Sequence, residues 1–127
     1  MGGISREREI SLCSGRAVAQ ALRIAGYDVR EIDVQSAVLN IPHEIEAVFI
    51  ALHGKFGEDG QIQQLLEDAG IPYTGAGAEG SELSFNKALA KNRFRECNIP
   101  TPIYEILHER QHSTLSPPVV LKPIRQG

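Results

Sequence analysis

The sequence predicts an α/β protein built on a parallel sheet with flanking helices, and three observations carry that reading. A short run that is apolar on both faces, Ala47-Val48-Phe49-Ile50-Ala51-Leu52, is bounded by glycine, as a central strand of a parallel sheet would be. Helical and extended patterns alternate along the first half of the chain. Glycines sit where the first two helical patterns stop.

Val18, Ala21, Leu22 and Ala25 recur at i, i+3, i+4, i+7, with Ile10 and Ala17 extending the same face, so a helix is expected from about Glu7 to Ala25. Ser5 is placed to cap it, acids crowd its first turn, and Gly26 should end it. Tyr27 to Val34 reads as a strand, and Pro42 marks a connection to the 47–52 strand. Ile62, Leu65, Leu66 and Ala69 repeat the helical spacing, with Gly70 as the stop. Residues 71–75 form a brief strand into a glycine-rich loop, AGAEGS. A basic helix follows from Leu83 to Cys97, then a stiff break at Asn98-Ile99-Pro100-Thr101-Pro102. Further strands are expected at 103–107 and from Pro118 to Pro123, with a polar loop or short helix between. A domain boundary near residue 84 divides the chain into 1–84 and 85–127, and the second unit is too small to hold a core alone.

Composition narrows the class. Of 127 residues, 42% are apolar and 23% charged, the balance of a soluble globular protein. A net charge of −3 gives no electrostatic case for nucleic acid or an anionic membrane surface. No run is long and apolar enough to span a bilayer, and MGGISRERE lacks the apolar core of a signal peptide. Cys13 and Cys97 stand alone, without a CxxC or a Cys/His cluster, and read as reduced thiols. The expectation is a cytoplasmic protein.

The residues that could carry chemistry lie at strand ends and helix starts, since open α/β sheets bind ligands beyond the carboxyl ends of their strands. His53 follows the 47–52 strand. Gly54, Gly57 and Gly60 permit close backbone approach, and Glu58-Asp59 lead into the next helix. From these residues alone the stretch is either a ligand site or a turn in which two acids complement a helix dipole. Gly2-Gly3 with Glu7 at a helix start is likewise either a binding site or simple dipole complementation. Lys87 is ordinarily solvated. Lys122 follows Val-Val-Leu in an expected strand, where a buried ammonium would require an anionic partner.

Several long motifs, in order over nearly the whole chain, resemble those of D-alanine–D-alanine ligases. GGISREREISLCSG (2–15) is similar to their GG-x-S-x-EREVSL-x-SG signature. ALHGKFGEDGQIQQLLEDAGIPYTGAG (51–77) resembles their ALHG-x-x-GEDG segment running to GIPYTGSG. LSFNKALAK (83–91), NIPTP (98–102) and VVLKPIRQG (119–127) follow the later motifs. Asn86 stands where the family has Asp, and Gln64 where it has Gly.

The resemblance implies a Rossmann-like, pre-ATP-grasp sheet followed by the beginning of an ATP-grasp domain. It also implies ATP-dependent joining of two D-alanines through an acyl phosphate, for peptidoglycan precursors, in a homodimer using ATP with Mg2+ or Mn2+. Glu7 and His53, with Gly54, would form the first D-alanine subsite; Glu7 would also act in catalysis, and Lys87 and Lys122 would contact ATP phosphates. The family carries an apolar strand before its glycine pair, where this chain has only Met1, so the sheet is expected to lack its first strand. The metal ligands and much of the catalytic machinery fall in segments that this sequence does not contain, so these residues alone are expected to be inactive. A non-catalytic amino-acid-binding or ligase-pairing remnant, or part of a ligase whose second substrate is D-lactate or D-serine, are the alternatives.

Overall fold

A computed structural model describes residues 1–126; Gly127, the last residue of the VVLKPIRQG stretch, lies outside the described residues. The described residues form four helices in the order α1 (Arg8–Ile24), α2 (Gln61–Asp68), α3 (Ala78–Phe85) and α4 (Lys87–Glu96). Among the described residues no helix is long and apolar enough to cross a membrane.

Helix ends follow the local chemistry of the sequence closely. After α1 the N–H of Gly26 bonds the Arg23 carbonyl at 3.0 Å and that of Tyr27 the Leu22 carbonyl at 3.1 Å, with Gly26 at φ +91°. This paired 5→2 and 6→1 closure satisfies carbonyls that the helix itself leaves open. The same closure recurs at Gly70-Ile71 after α2 and at Asn98-Ile99 after α4. The basic helix expected over 83–97 is instead two helices. Asn86 adopts an extended backbone (φ −91°, ψ 102°) and its side chain accepts from the N–H groups of Ala88 and Leu89, so it ends α3 and caps α4. The AGAEGS stretch, expected as a loop, supplies the first residues of α3.

The parallel sheet is not formed as a continuous ladder. Among the described residues only two isolated parallel bridges occur, Gly2 with Val34 and Val48 with Tyr73. The segments around Val34 and Val48 do not pair with each other, because a cleft of about 490 Å³ separates them. Strands at 103–107 and 118–123 are likewise absent. Ile103, Val120 and Leu121 are largely exposed, and without a neighbouring edge an extended segment has no partner for its backbone groups. The 101–104 stretch instead docks on α4. The Lys91 ammonium and the Arg95 guanidinium lie 5.0 and 4.5 Å from the Tyr104 ring centroid, and Lys91 Nζ donates to Thr101 Oγ1 at 2.7 Å.

The core joins Val34, Leu52, Phe56, Ile62 and Leu66. Phe56 and Leu66 are the largest fully buried side chains, each contributing roughly 1.5–3 kcal/mol by leaving water. The face that α1 buries is offset from the expected one. Ser11, Gly15 and Ala19 are buried, whereas Ile10, Ala17, Ala21 and Ala25 are exposed.

Candidate functional site

The head of α1 meets the end of the 47–52 segment, and that meeting builds the site. Ser5 does not cap α1, because the helix starts two residues too late for it; the N-cap is Glu7, which makes no side-chain cap bond. Ser5 Oγ instead donates to the His53 carbonyl at 2.7 Å and accepts from the Glu7 N–H at 3.1 Å, tying the two segments together. One turn further on, Ser11 Oγ donates to the Ala51 carbonyl at 2.5 Å. Ser14 Oγ then lies 2.9 Å from His53 Nε2. Glu7, Ser11 and Ser14 share one helix face at i, i+4, i+7.

The 53–60 loop is shaped by burial and by close approach. Phe56, 1% exposed, holds φ +74°, a left-handed conformation that a bulky residue adopts at a cost offset here by its place in the core. Gly54 is buried with φ +68°, and a Cβ there would collide with Glu7 Oε2. Glycine at 54 is therefore what lets the carboxylate lie against the loop backbone. Asp59 closes the loop by accepting from the Gln61 N–H at 3.3 Å and from Gln61 Nε2 at 2.7 Å, just before α2.

Of the residues expected from the sequence, Glu7, His53 and Gly54 come together. Glu7 is half-buried and makes no ion pair among the described residues. His53 is flanked by Ser14 on Nε2 and by Glu58, whose Oε1 lies 3.7 Å from Nδ1. Glu58 also lines a second recess of about 280 Å³ with Ser84, Phe85, Lys87 and Gln126, so Lys87 approaches the same neighbourhood from the other side. Lys87 Nζ donates to the Gln126 carbonyl and its backbone N–H to the Ile124 carbonyl at 3.0 Å. Lys122 does not join them. It is exposed in a segment without a strand, so the buried anionic partner that the expected strand required is not needed.

Ser14 and Glu58 were missed as contacts of His53. Their signal was available for Ser14, which lies on the Glu7 face of α1, but not for Glu58, whose position depends on how the loop folds back. Gln64, the departure from the resembled motif, points away, bonding Asp68 on the exposed side of α2 at 2.8 Å. Asn86, the other, keeps a cap that Asp would serve equally well. No group of three or more His, Cys, Asp or Glu side chains comes together among the described residues.

Comparison with known proteins finds relatives in both sequence and fold. The family described as D-ala D-ala ligase N-terminus matches residues 31–76. The chain is 47% identical over 126 residues to a D-alanine–D-alanine ligase of Methylacidiphilum infernorum, covering 99% of this chain and 42% of that protein. It is 45% identical over 134 residues to the corresponding ligase of Geotalea uraniireducens, covering 100% of this chain and 43% of that one. The crystal structure of D-alanine–D-alanine ligase from Bacillus anthracis superposes with a TM-score of 0.76 at 30% identity, over 90% of this chain and 38% of that one. The same enzyme complexed with ATP gives 0.75 at 29% identity, over 90% of this chain and 40% of that one. The chain thus spans about two-fifths of the length of the relatives it matches. Over that span, in sequence and in fold, it is similar to D-alanine–D-alanine ligases.

Proposed function

We propose that the chain carries the first amino-acid subsite of an ATP-dependent D-alanine–D-alanine ligase, a cytoplasmic enzyme of peptidoglycan precursor synthesis. One observation carries the reading: the Glu7 carboxylate, half-buried and without an ion-pair partner among the described residues, lies against Gly54 beside His53. A carboxylate so placed suits the ammonium of a free amino acid, because that cation offsets the cost of removing the anion from water. His53, held between Ser14 and Glu58, would take the substrate carboxylate.

Lys87, beside Glu58, and Lys122 are assigned to ATP phosphates, where positive charge stabilises what develops as phosphate is transferred. ATP would supply the activation of the first D-alanine carboxylate for attack by the second amine. The divalent ion implied by that chemistry finds no ligand set among the described residues. The same reading places 1–84 in a Rossmann-like substrate-binding unit and 85–127 at the start of an ATP-grasp unit, with a homodimer as the assembly.

The test is a titration with D-alanine, followed at the backbone amides of His53, Gly54 and Ser14. Saturable shifts with D-alanine, weaker with L-alanine and lost in Glu7→Gln, are expected. Equal response to both enantiomers, or a response untouched by Glu7→Gln, would remove the assignment.

A further inference from the structure

We propose that Gln63 is a positioning residue for His53: by pinning the peptide group between Gly57 and Glu58, it holds the Glu58 carboxylate beside Nδ1 and so keeps the ring's proton on that nitrogen. The use of that proton toward D-alanine rests on the function proposed above; the positioning itself does not.

The starting observation is a buried amide that is only half satisfied. Gln63, 6% exposed, lies with Ile62 and Leu66 on the buried side of α2. Its Nε2 donates to the Gly57 carbonyl at 2.8 Å, while its Oε1 has no hydrogen-bond partner among the described residues. An orphaned buried acceptor is costly, and an apolar side chain of similar length would avoid that cost. Packing alone therefore gives no reason for an amide here. The donor to Gly57 does.

That donor acts on one rigid unit of the 53–60 loop. The Gly57 carbonyl and the Glu58 N–H belong to a single planar peptide group. Gln63 holds its carbonyl end from α2, and the Gly54 carbonyl accepts from its N–H end at 2.9 Å. With both polar ends tied, the plane cannot turn, although glycine at 57 would otherwise permit many orientations. A bulkier residue could not stiffen the loop instead, because a Cβ at 57 would lie 2.5 Å from Leu52 Cβ.

Glu58 hangs directly from the pinned peptide. Its Oε1 lies 3.7 Å from His53 Nδ1, too far for a closed hydrogen bond but near enough for its charge to favour a proton there. Ser14 Oγ, 2.9 Å from Nε2, then donates to the nitrogen that carries no proton. The Nδ1–H so placed stays open to a second acceptor, which in the proposed subsite is the substrate carboxylate.

The experiment reads the tautomer of the neutral His53 ring from its nitrogen NMR shifts, without ligand, in the unaltered chain, Gln63→Met, Glu58→Gln and the double variant. The Nδ1–H form should predominate in the unaltered chain. Its ratio to the Nε2–H form should fall at least about twofold in each single variant, the lower end of couplings measured between contacting residues. The double variant should show no further fall, because both changes break one route. An unchanged ratio in Gln63→Met, or losses that multiply in the double variant, overturns positioning through Glu58. Glu58 is exposed, so Glu58→Gln tests the route even where Gln63→Met does not fold, and a ratio that it leaves unchanged overturns the proposal. D-Alanine is then added. Weaker binding in Gln63→Met beside a shifted tautomer carries the effect through to substrate. A shifted tautomer with no D-alanine response in any chain removes the function proposed above and leaves the positioning standing.

Discussion

The carboxylate of Glu7 occupies the space that a side chain at residue 54 would need, so that glycine and glutamate, 47 positions apart in the chain, form one structural unit. Gly54→Ala meets two obstacles, the collision with Glu7 Oε2 and a φ of +68°. The expected cost is about 1–3 kcal/mol, the usual range for a non-glycine residue forced into a left-handed conformation. Urea denaturation measures it. The D-alanine response at residue 53 should be lost even at temperatures where the variant remains folded.

Ser14→Ala separates positioning from stability. The bond to His53 Nε2 is part-buried, and its loss should cost only about 0.5–1.5 kcal/mol. The imidazole would then be held by Glu58 alone. Weaker D-alanine binding with a nearly unchanged denaturation midpoint is the expected result, whereas unchanged binding would show that Ser14 does not orient the ring.

Asn86→Ala removes the cap on α4 and should cost about 1 kcal/mol. Asn86→Asp should restore it, since either side chain can accept from the Ala88 and Leu89 amides. Exchange at those two amides is the direct readout. Faster exchange in the alanine variant, with protection recovered by aspartate, is expected.

Glu67 and Tyr73 make stability depend on pH at both ends. The Tyr73 hydroxyl, with the Ala78 N–H, holds the Glu67 carboxyl below its usual range. The same contact pushes the Tyr73 phenol up. A depressed carboxyl contributes stability above its unfolded pKa that is lost as pH falls through the folded value. A raised phenol contributes stability below its unfolded pKa that is lost as pH rises through the folded value. Denaturation midpoints measured across both limbs should therefore change less steeply in Glu67→Gln than in the unaltered chain. Equal slopes would show that the pair carries no pH dependence.

Much of the local structure was legible. Gly26 and Gly70 end helices because a left-handed residue lets the last carbonyls be satisfied at once, and that requirement is readable from a glycine after a helical pattern. Asn98 does the same at φ +55°, though the sequence marked it only as the start of a stiff break. The break at Asn86 was harder to see, because the residues on both sides of it favour helix and only the capping geometry separates α3 from α4. Phe56 was not legible as a core residue. Nothing in Gly-Lys-Phe-Gly indicates that its ring turns inward, which depends on Ile62 and Leu66 being there to receive it.

The sequence by itself determined α1 and α2 with their glycine stops and singled out Glu7, His53 and Gly54, since these follow from periodicity, local backbone chemistry and long ordered motifs. The tertiary structure alone decided which extended segments pair. Backbone hydrogen bonding between strands is a property of neighbours in space, and the 27–34 and 47–52 segments, each apolar enough to be a strand, stand apart across a cleft. It also decided that His53 rests on Ser14 and Glu58, and that Lys122 stays in solvent, because burial is set by what surrounds a side chain and not by the residues beside it in the chain.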